Sequence, residues 1–131
     1  MKVLFKFYWT TILWALFIFI MCIIKLGKIS NSHLFFRGFD KLVHCVFLFV
    51  LVVSSSAGLI RQQSHRNLSY KYVLLFTVAA IVYGGFIEVL QSYIFTWRSG
   101  EWNDLFADTV GALMGAFSVI VTLSAMSYVK K

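Results

Sequence analysis

Apolar residues run almost unbroken through four stretches of this chain, and the few polar positions inside them carry most of the information. The stretches lie near Val3–Leu26, Asp40–Ile60, Tyr70–Phe95 and Asp104–Val129. Each is long enough to cross a hydrocarbon core as a helix, which takes about 20 apolar residues. The pattern predicts an all-α fold, an integral membrane bundle of four transmembrane helices. The first stretch follows Lys2 and Lys6 as a signal peptide would, but its apolar run is longer than a signal core and no small-x-small cleavage pattern precedes Lys25. It is expected to remain as a first span.

Polar residues within the spans recur at helical spacing. In the fourth, Asp104, Asp108, Gly111, Gly115, Ser118 and Thr122 follow one another at steps of four, three, four, three and four, which draws one continuous stripe. Gly111 and Gly115 form a GxxxG pair, the spacing that lets a second helix backbone approach closely. In the third span Gly84, Glu88 and Gln91 share a face, and Gly84 is expected to serve packing like the other two glycines. In the second, Asp40 and His44 share one, with Lys41 adjacent. A charge near the centre of a spanning helix costs about 2.5–3.5 kcal/mol on insertion scales, so such residues face the bundle interior and find partners. Counted at 1.5 Å per residue, His44, Glu88 and Asp108 all fall within roughly 6–10 Å of one end of the bundle. The first span has no such stripe, only Trp9 and Trp14 as polar handles, and is expected at the bundle's edge.

Composition agrees with a membrane as solvent: 60% of the 131 residues are hydrophobic, 13% are charged, and the mean hydropathy is +0.84. A soluble domain carries about 25% charged residues. No linker or low-complexity tract divides the chain, so residues 1–131 are expected to form a single domain. The net charge of +7 flanks the apolar stretches instead of lining a soluble face, which points to a membrane surface as partner and away from nucleic acid. Four spans put Lys2, Lys6, Arg61, Arg66, Lys71, Lys130 and Lys131 on one side and Lys25, Lys28, Arg37, Lys41 and Arg98 on the other. The excess on the first side predicts that both termini are cytoplasmic. Cys22 and Cys45 lie in apolar runs with no CxxC and no paired spacing, so neither a disulfide framework nor a zinc site is expected, and no residue is assigned as a metal ligand.

Four of the five acidic residues, Glu88, Glu101, Asp104 and Asp108, fall within Ile87–Asp108. Together with the second span they spell an ordered set: DKLVH at Asp40–His44, EVLQ at Glu88–Gln91, Arg98 in the connection between two tryptophans, and DLFADTVGALMG at Asp104–Gly115. This set resembles the VanZ-like family of small multi-span bacterial membrane proteins. The family signature runs Asp-Lys-x-x-His, Glu-x-x-Gln, Arg, then Asp-x-x-x-Asn-x-x-Gly-x-x-x-Gly. The resemblance covers residues 38–118 and leaves the helix at 3–26 as an N-terminal addition. Asp108 departs from the pattern, since the family usually has Asn there. Membership would place the chain in the bacterial plasma membrane as a multi-pass protein. It would also suggest a role with an envelope lipid, a peptidoglycan precursor or a glycopeptide antibiotic, because the family is named for a protein associated with teicoplanin resistance.

Several chemistries suit these residues. Asp40, Lys41, His44, Glu88, Gln91, Arg98, Asp104 and Asp108 are the candidates for binding a lipid-linked or lipoglycopeptide ligand at the outer leaflet, with Lys41 and Arg98 as phosphate partners. His44, Glu88 and Asp108 are the candidates for catalysis, as an acid–base group acting on a lipid phosphate or pyrophosphate, and the carboxylates would suit Mg²⁺ held jointly with substrate phosphates. The same residues would also suit a purely structural cluster holding three helices in register, or a proton relay. A relay needs to continue into the inner half, where only Ser54, Ser55, Ser56, Thr77, Ser118 and Thr122 offer polar groups. The pattern sets no oligomeric state.

Overall fold

Hydrocarbon offers no hydrogen bonds to a bare backbone, so a spanning segment has to satisfy its own amides, and a helix does so within itself. With no proline anywhere in the chain, nothing interrupts those ladders. The computed structural model describes residues 2–23, 38–63, 69–94 and 102–129. It places a helix on each apolar stretch: α1 over Lys2–Ile23, α2 over Phe39–Gln62, α3 over Tyr70–Tyr93 and α4 over Trp102–Val129. All four are long and apolar enough to cross a membrane. The bounds differ from those expected from the sequence by no more than three residues.

The bundle is turned outward in its apolar content. Leu74, Val82 and Phe86 on α3 and Phe106, Leu113 and Phe117 on α4 are exposed, whereas His44, Glu88, Gln91, Asp104 and Asp108 are buried. In water this distribution would be unstable. In lipid it is the expected one, because tails solvate the apolar faces and polar groups turn to one another.

The closest helix pair is α2 with α4, two parallel helices. Their contact follows the small residues of α4: a Cβ on Gly111 would overlap the carbonyl of Cys45, and one on Gly115 would meet the backbone of Phe49 and the side chain of Val52. Cys45 and Phe49 are one turn apart, as are Gly111 and Gly115, so the two backbones run side by side for a full turn. Helix α3, antiparallel to both, packs against each of them. Below Gly115 the stripe leaves the interface, since Ser118 is half-buried and Thr122 exposed.

Helix α1 packs on α2 and more lightly on α3, and among the described residues it does not contact α4. It therefore sits at the bundle's edge, as its lack of a polar stripe predicts. Its attachment is more polar than that expectation. The Trp14 indole donates to the Phe47 carbonyl at 3.0 Å, the Tyr83 hydroxyl to the Ala15 carbonyl at 2.7 Å, and the Gln91 amide to the Cys22 carbonyl at 2.9 Å. Trp14 also packs on Phe17 with the rings tilted by 32° and meets Phe47 edge to face.

Candidate functional site

The residues singled out by helical spacing gather where α2 and α4 begin and α3 ends. Helix α2 starts from Gly38, whose φ of 98° lies in the left-handed region that glycine adopts without steric cost. The Gly38 carbonyl accepts the first helical bond from the Leu42 amide. This start sets Asp40 in the first turn of α2, and Asp104 stands in the first turn of α4, where the positive end of each helix dipole favours a carboxylate.

One turn further in, three helices meet through side chains. His44 Nδ1 of α2 lies 3.2 Å from Asp108 Oδ1 of α4 and 3.9 Å from Glu88 Oε1 of α3. All three residues are buried. Above them, Lys41 Nζ bonds Asp104 Oδ1 at 3.2 Å. That pair spans a boundary, because the lysine side chain is 41% exposed and the aspartate 4%. Asp40 is exposed at the rim. The result is layered, with an exposed acid and a half-exposed cation outside, a buried acid beneath them, and a buried imidazole between two carboxylates deepest.

A slot on α3 makes the deepest layer possible. A Cβ on Gly84 would overlap the Asp108 carboxylate, so the Asp108 side chain occupies the space that any other residue at 84 would fill. Gly84 is thus part of the site's construction as well as of helix packing. The spacing contained that signal, since Gly84 stands one turn before Glu88 on the same face.

Two sets of residues have ligand atoms that converge as metal ligands do. His44, Glu88 and Asp108 form one, and Asp40, His44 and Asp104 the other, with the atoms of each set within 4.8 Å of one another. Gln91 behaves differently. It is buried on the expected face, but its amide is directed to α1 through the bond to Cys22. Arg98 and Glu101 lie outside the described residues. In the inner half, the hydroxyls of Ser54, Ser55, Thr77 and Thr122 turn back onto carbonyls of their own helices, the usual arrangement for such residues inside a helix.

The VanZ/LLP1 family matches residues 3–123 of the chain. The chain belongs to that family. The match begins within α1, so it takes in the edge helix as well as the three helices that build the site. No curated protein and no solved structure matches the chain. Within this VanZ/LLP1 chain, the DKLVH, EVLQ and DLFADTVGALMG elements lie on three different helices, and His44, Glu88 and Asp108 are where they touch. Family membership and four apolar helices identify a multi-pass membrane protein.

Proposed function

We propose that this VanZ/LLP1 protein holds the phosphate-bearing headgroup of an envelope lipid, or of a lipid-linked peptidoglycan precursor or lipoglycopeptide, at the outer face of the bacterial plasma membrane. In this reading both termini are cytoplasmic, as the Lys/Arg distribution favours. The observation that carries it is the layering at the bundle's end, where half-exposed Lys41 is tethered by buried Asp104 above a buried histidine and two carboxylates. Asp108 stands six residues into α4 and His44 five into α2, so the cluster lies about 8–9 Å from the helix ends. With the helix ends set at the membrane surface, that depth is near the boundary between headgroups and hydrocarbon, the headgroup layer being about 5–7 Å thick. The Lys41 ammonium, half-exposed beside Asp104, is a partner for phosphate, with Arg98 of the connection as a second cation of the kind that pairs phosphate through two parallel hydrogen bonds. The buried carboxylates would then accept hydrogen bonds from sugar or peptide groups. A contribution to teicoplanin resistance would follow if the bound amphiphile is the drug or its target.

Native mass spectrometry of protein extracted with its own lipids tests this reading. Wild-type protein is expected to carry an anionic lipid or lipid-pyrophosphate adduct, and Lys41→Ala and Arg98→Ala to lose it while remaining folded. Wild-type protein without any such adduct, or adducts unchanged in both variants, would refute it.

A second reading is favoured by one contact, His44 Nδ1 to Asp108 Oδ1 at 3.2 Å. A base held by a carboxylate is the arrangement of acid–base catalysis, and it would act on a phosphate or pyrophosphate of the same lipid. It requires turnover of a lipid pyrophosphate that is lost in Glu88→Gln and His44→Ala.

A further inference from the structure

His44, Glu88 and Asp108 each come from a different helix, and the atoms they present are one imidazole nitrogen and two carboxylate oxygens. Ligands that share an ion at about 2.0–2.2 Å stand roughly 3–4 Å from each other. His44 Nδ1 lies 3.2 Å from the Asp108 oxygen and 3.9 Å from the Glu88 oxygen, and the three residues each offer a ligand atom within 4.8 Å of the other two. An ion could therefore enter with side-chain adjustments and no rearrangement of the helices. The helices are held independently of the cluster, since the Gly111 and Gly115 contacts fix α4 on α2 and the Gln91 and Tyr83 bonds fix α3 on α1.

We propose that His44, Glu88 and Asp108 form a binding site for one divalent transition-metal ion, with Zn²⁺ or Mn²⁺ as the class it accepts. The imidazole decides the class. Mg²⁺ and Ca²⁺ take oxygen ligands, whereas an imidazole nitrogen suits zinc and its neighbours and a carboxylate suits manganese. Coordination through Nδ1 needs that nitrogen unprotonated, which puts the ring proton on Nε2. Two carboxylates and a neutral imidazole then carry the charge that a divalent ion cancels. Three protein ligands leave a position open for water or a ligand oxygen, as in zinc sites that act on substrates. The other convergent set is the weaker candidate, because its Asp104 is bonded to Lys41 and its Asp40 is exposed. The inference uses the residues of the recognition site but does not depend on the lipid proposed for it.

The test uses full-length protein in detergent, with any purification tag removed, stripped with chelator and titrated with the metal alone. Calorimetry and elemental analysis are expected to give one Zn²⁺ or Mn²⁺ per chain and a raised unfolding temperature, while Mg²⁺ at the same concentration leaves that temperature unchanged. Glu88→Gln and Asp108→Asn preserve side-chain volume and are expected to weaken binding at least about tenfold, since even residues that only orient metal ligands cost 10–100-fold when changed. Thr122→Val, at an exposed position in the other half of α4, is expected to bind as wild type does. Co²⁺ loaded in place of Zn²⁺ should give visible absorption bands that disappear in His44→Gln. Absence of stoichiometric binding by wild-type protein would overturn the proposal, as would binding that persists unchanged in Glu88→Gln and Asp108→Asn. Because no lipid is added, either result leaves the recognition reading to its own test.

Discussion

Gly84 and Asp108 share a single volume: α3 lacks a Cβ where the α4 carboxylate sits, and a methyl group there would overlap Asp108 Oδ2. The glycine thereby sets how near Asp108 comes to His44, whose Nδ1 is 3.2 Å away. A residue that reads as packing in the sequence thus controls the geometry of the polar cluster.

Gly84→Ala should displace the Asp108 carboxylate and lower stability by about 1–3 kcal/mol, the usual range for overpacking a filled site. Thermal unfolding in detergent reads this directly. In an Asp108→Ala background the carboxylate is gone and only the Cβ of residue 108 remains, 3.3 Å from the added methyl group, so the same substitution should cost much less, because residues in contact are coupled. An equal loss in both backgrounds would show that the strain does not run through Asp108.

The other glycines separate two kinds of close approach. A Cβ on Gly111 would meet the backbone of Cys45, which cannot rotate away, whereas a Cβ on Gly85 would make only an ordinary contact with Leu105. Gly111→Ala should therefore destabilise by at least about 2 kcal/mol, toward the upper end of overpacking costs. Gly85→Ala should be neutral or slightly stabilising, since alanine favours a helix over glycine by about 1 kcal/mol. Similar losses in the two variants would mean that α2 and α4 are not in backbone contact at Gly111.

Lys41 and Asp104 form an unequal pair. The lysine can turn into water when its partner is removed, but the buried aspartate cannot. Lys41→Ala should therefore cost more stability than Asp104→Asn, by about 1 kcal/mol, because a buried group left without its partner retains its desolvation penalty. The pair's own worth is small, since its lysine is substantially exposed and screened. Chemical denaturation of the two variants compares them, and an equal or reversed order would contradict the burial of Asp104.

The fold and most of the cluster were legible because both rest on periodicity. Four long apolar stretches in a chain without proline leave little besides spanning helices, and the steps of three and four put Asp104, Asp108, Gly111 and Gly115 on one buried face. Depth was legible too, since counting residues from each helix end brought His44, Glu88 and Asp108 to one level. Spacing could not give pairing. It could not tell that Lys41 bonds Asp104 while His44 bonds Asp108, nor that Gln91, on the same face as Glu88, points to α1. Those choices depend on how the helices are rotated about their axes, which the backbone contacts at Gly111 and Gly115 and the seat of the Asp108 side chain against Gly84 set. The bonds to α1 were hidden for a second reason, because their acceptors are backbone carbonyls of Ala15 and Cys22, and carbonyls leave no trace in a sequence.

Those carbonyl bonds lead to a prediction about the edge helix. Tyr83→Phe and Gln91→Leu each remove one hydrogen bond to α1 and little volume. Interhelical hydrogen bonds in membranes are worth about 0.6 kcal/mol on average, so each variant should lose about that much stability and stay folded. The looser attachment should be visible at Cys22, a buried cysteine on α1 whose carbonyl accepts the Gln91 bond. Its alkylation by a membrane-permeant maleimide should quicken in Gln91→Leu, while Cys45 on α2, away from that contact, reacts as before. Equal acceleration at both cysteines would indicate general unfolding, and no change at Cys22 would mean that the Gln91 bond does not hold α1 in place.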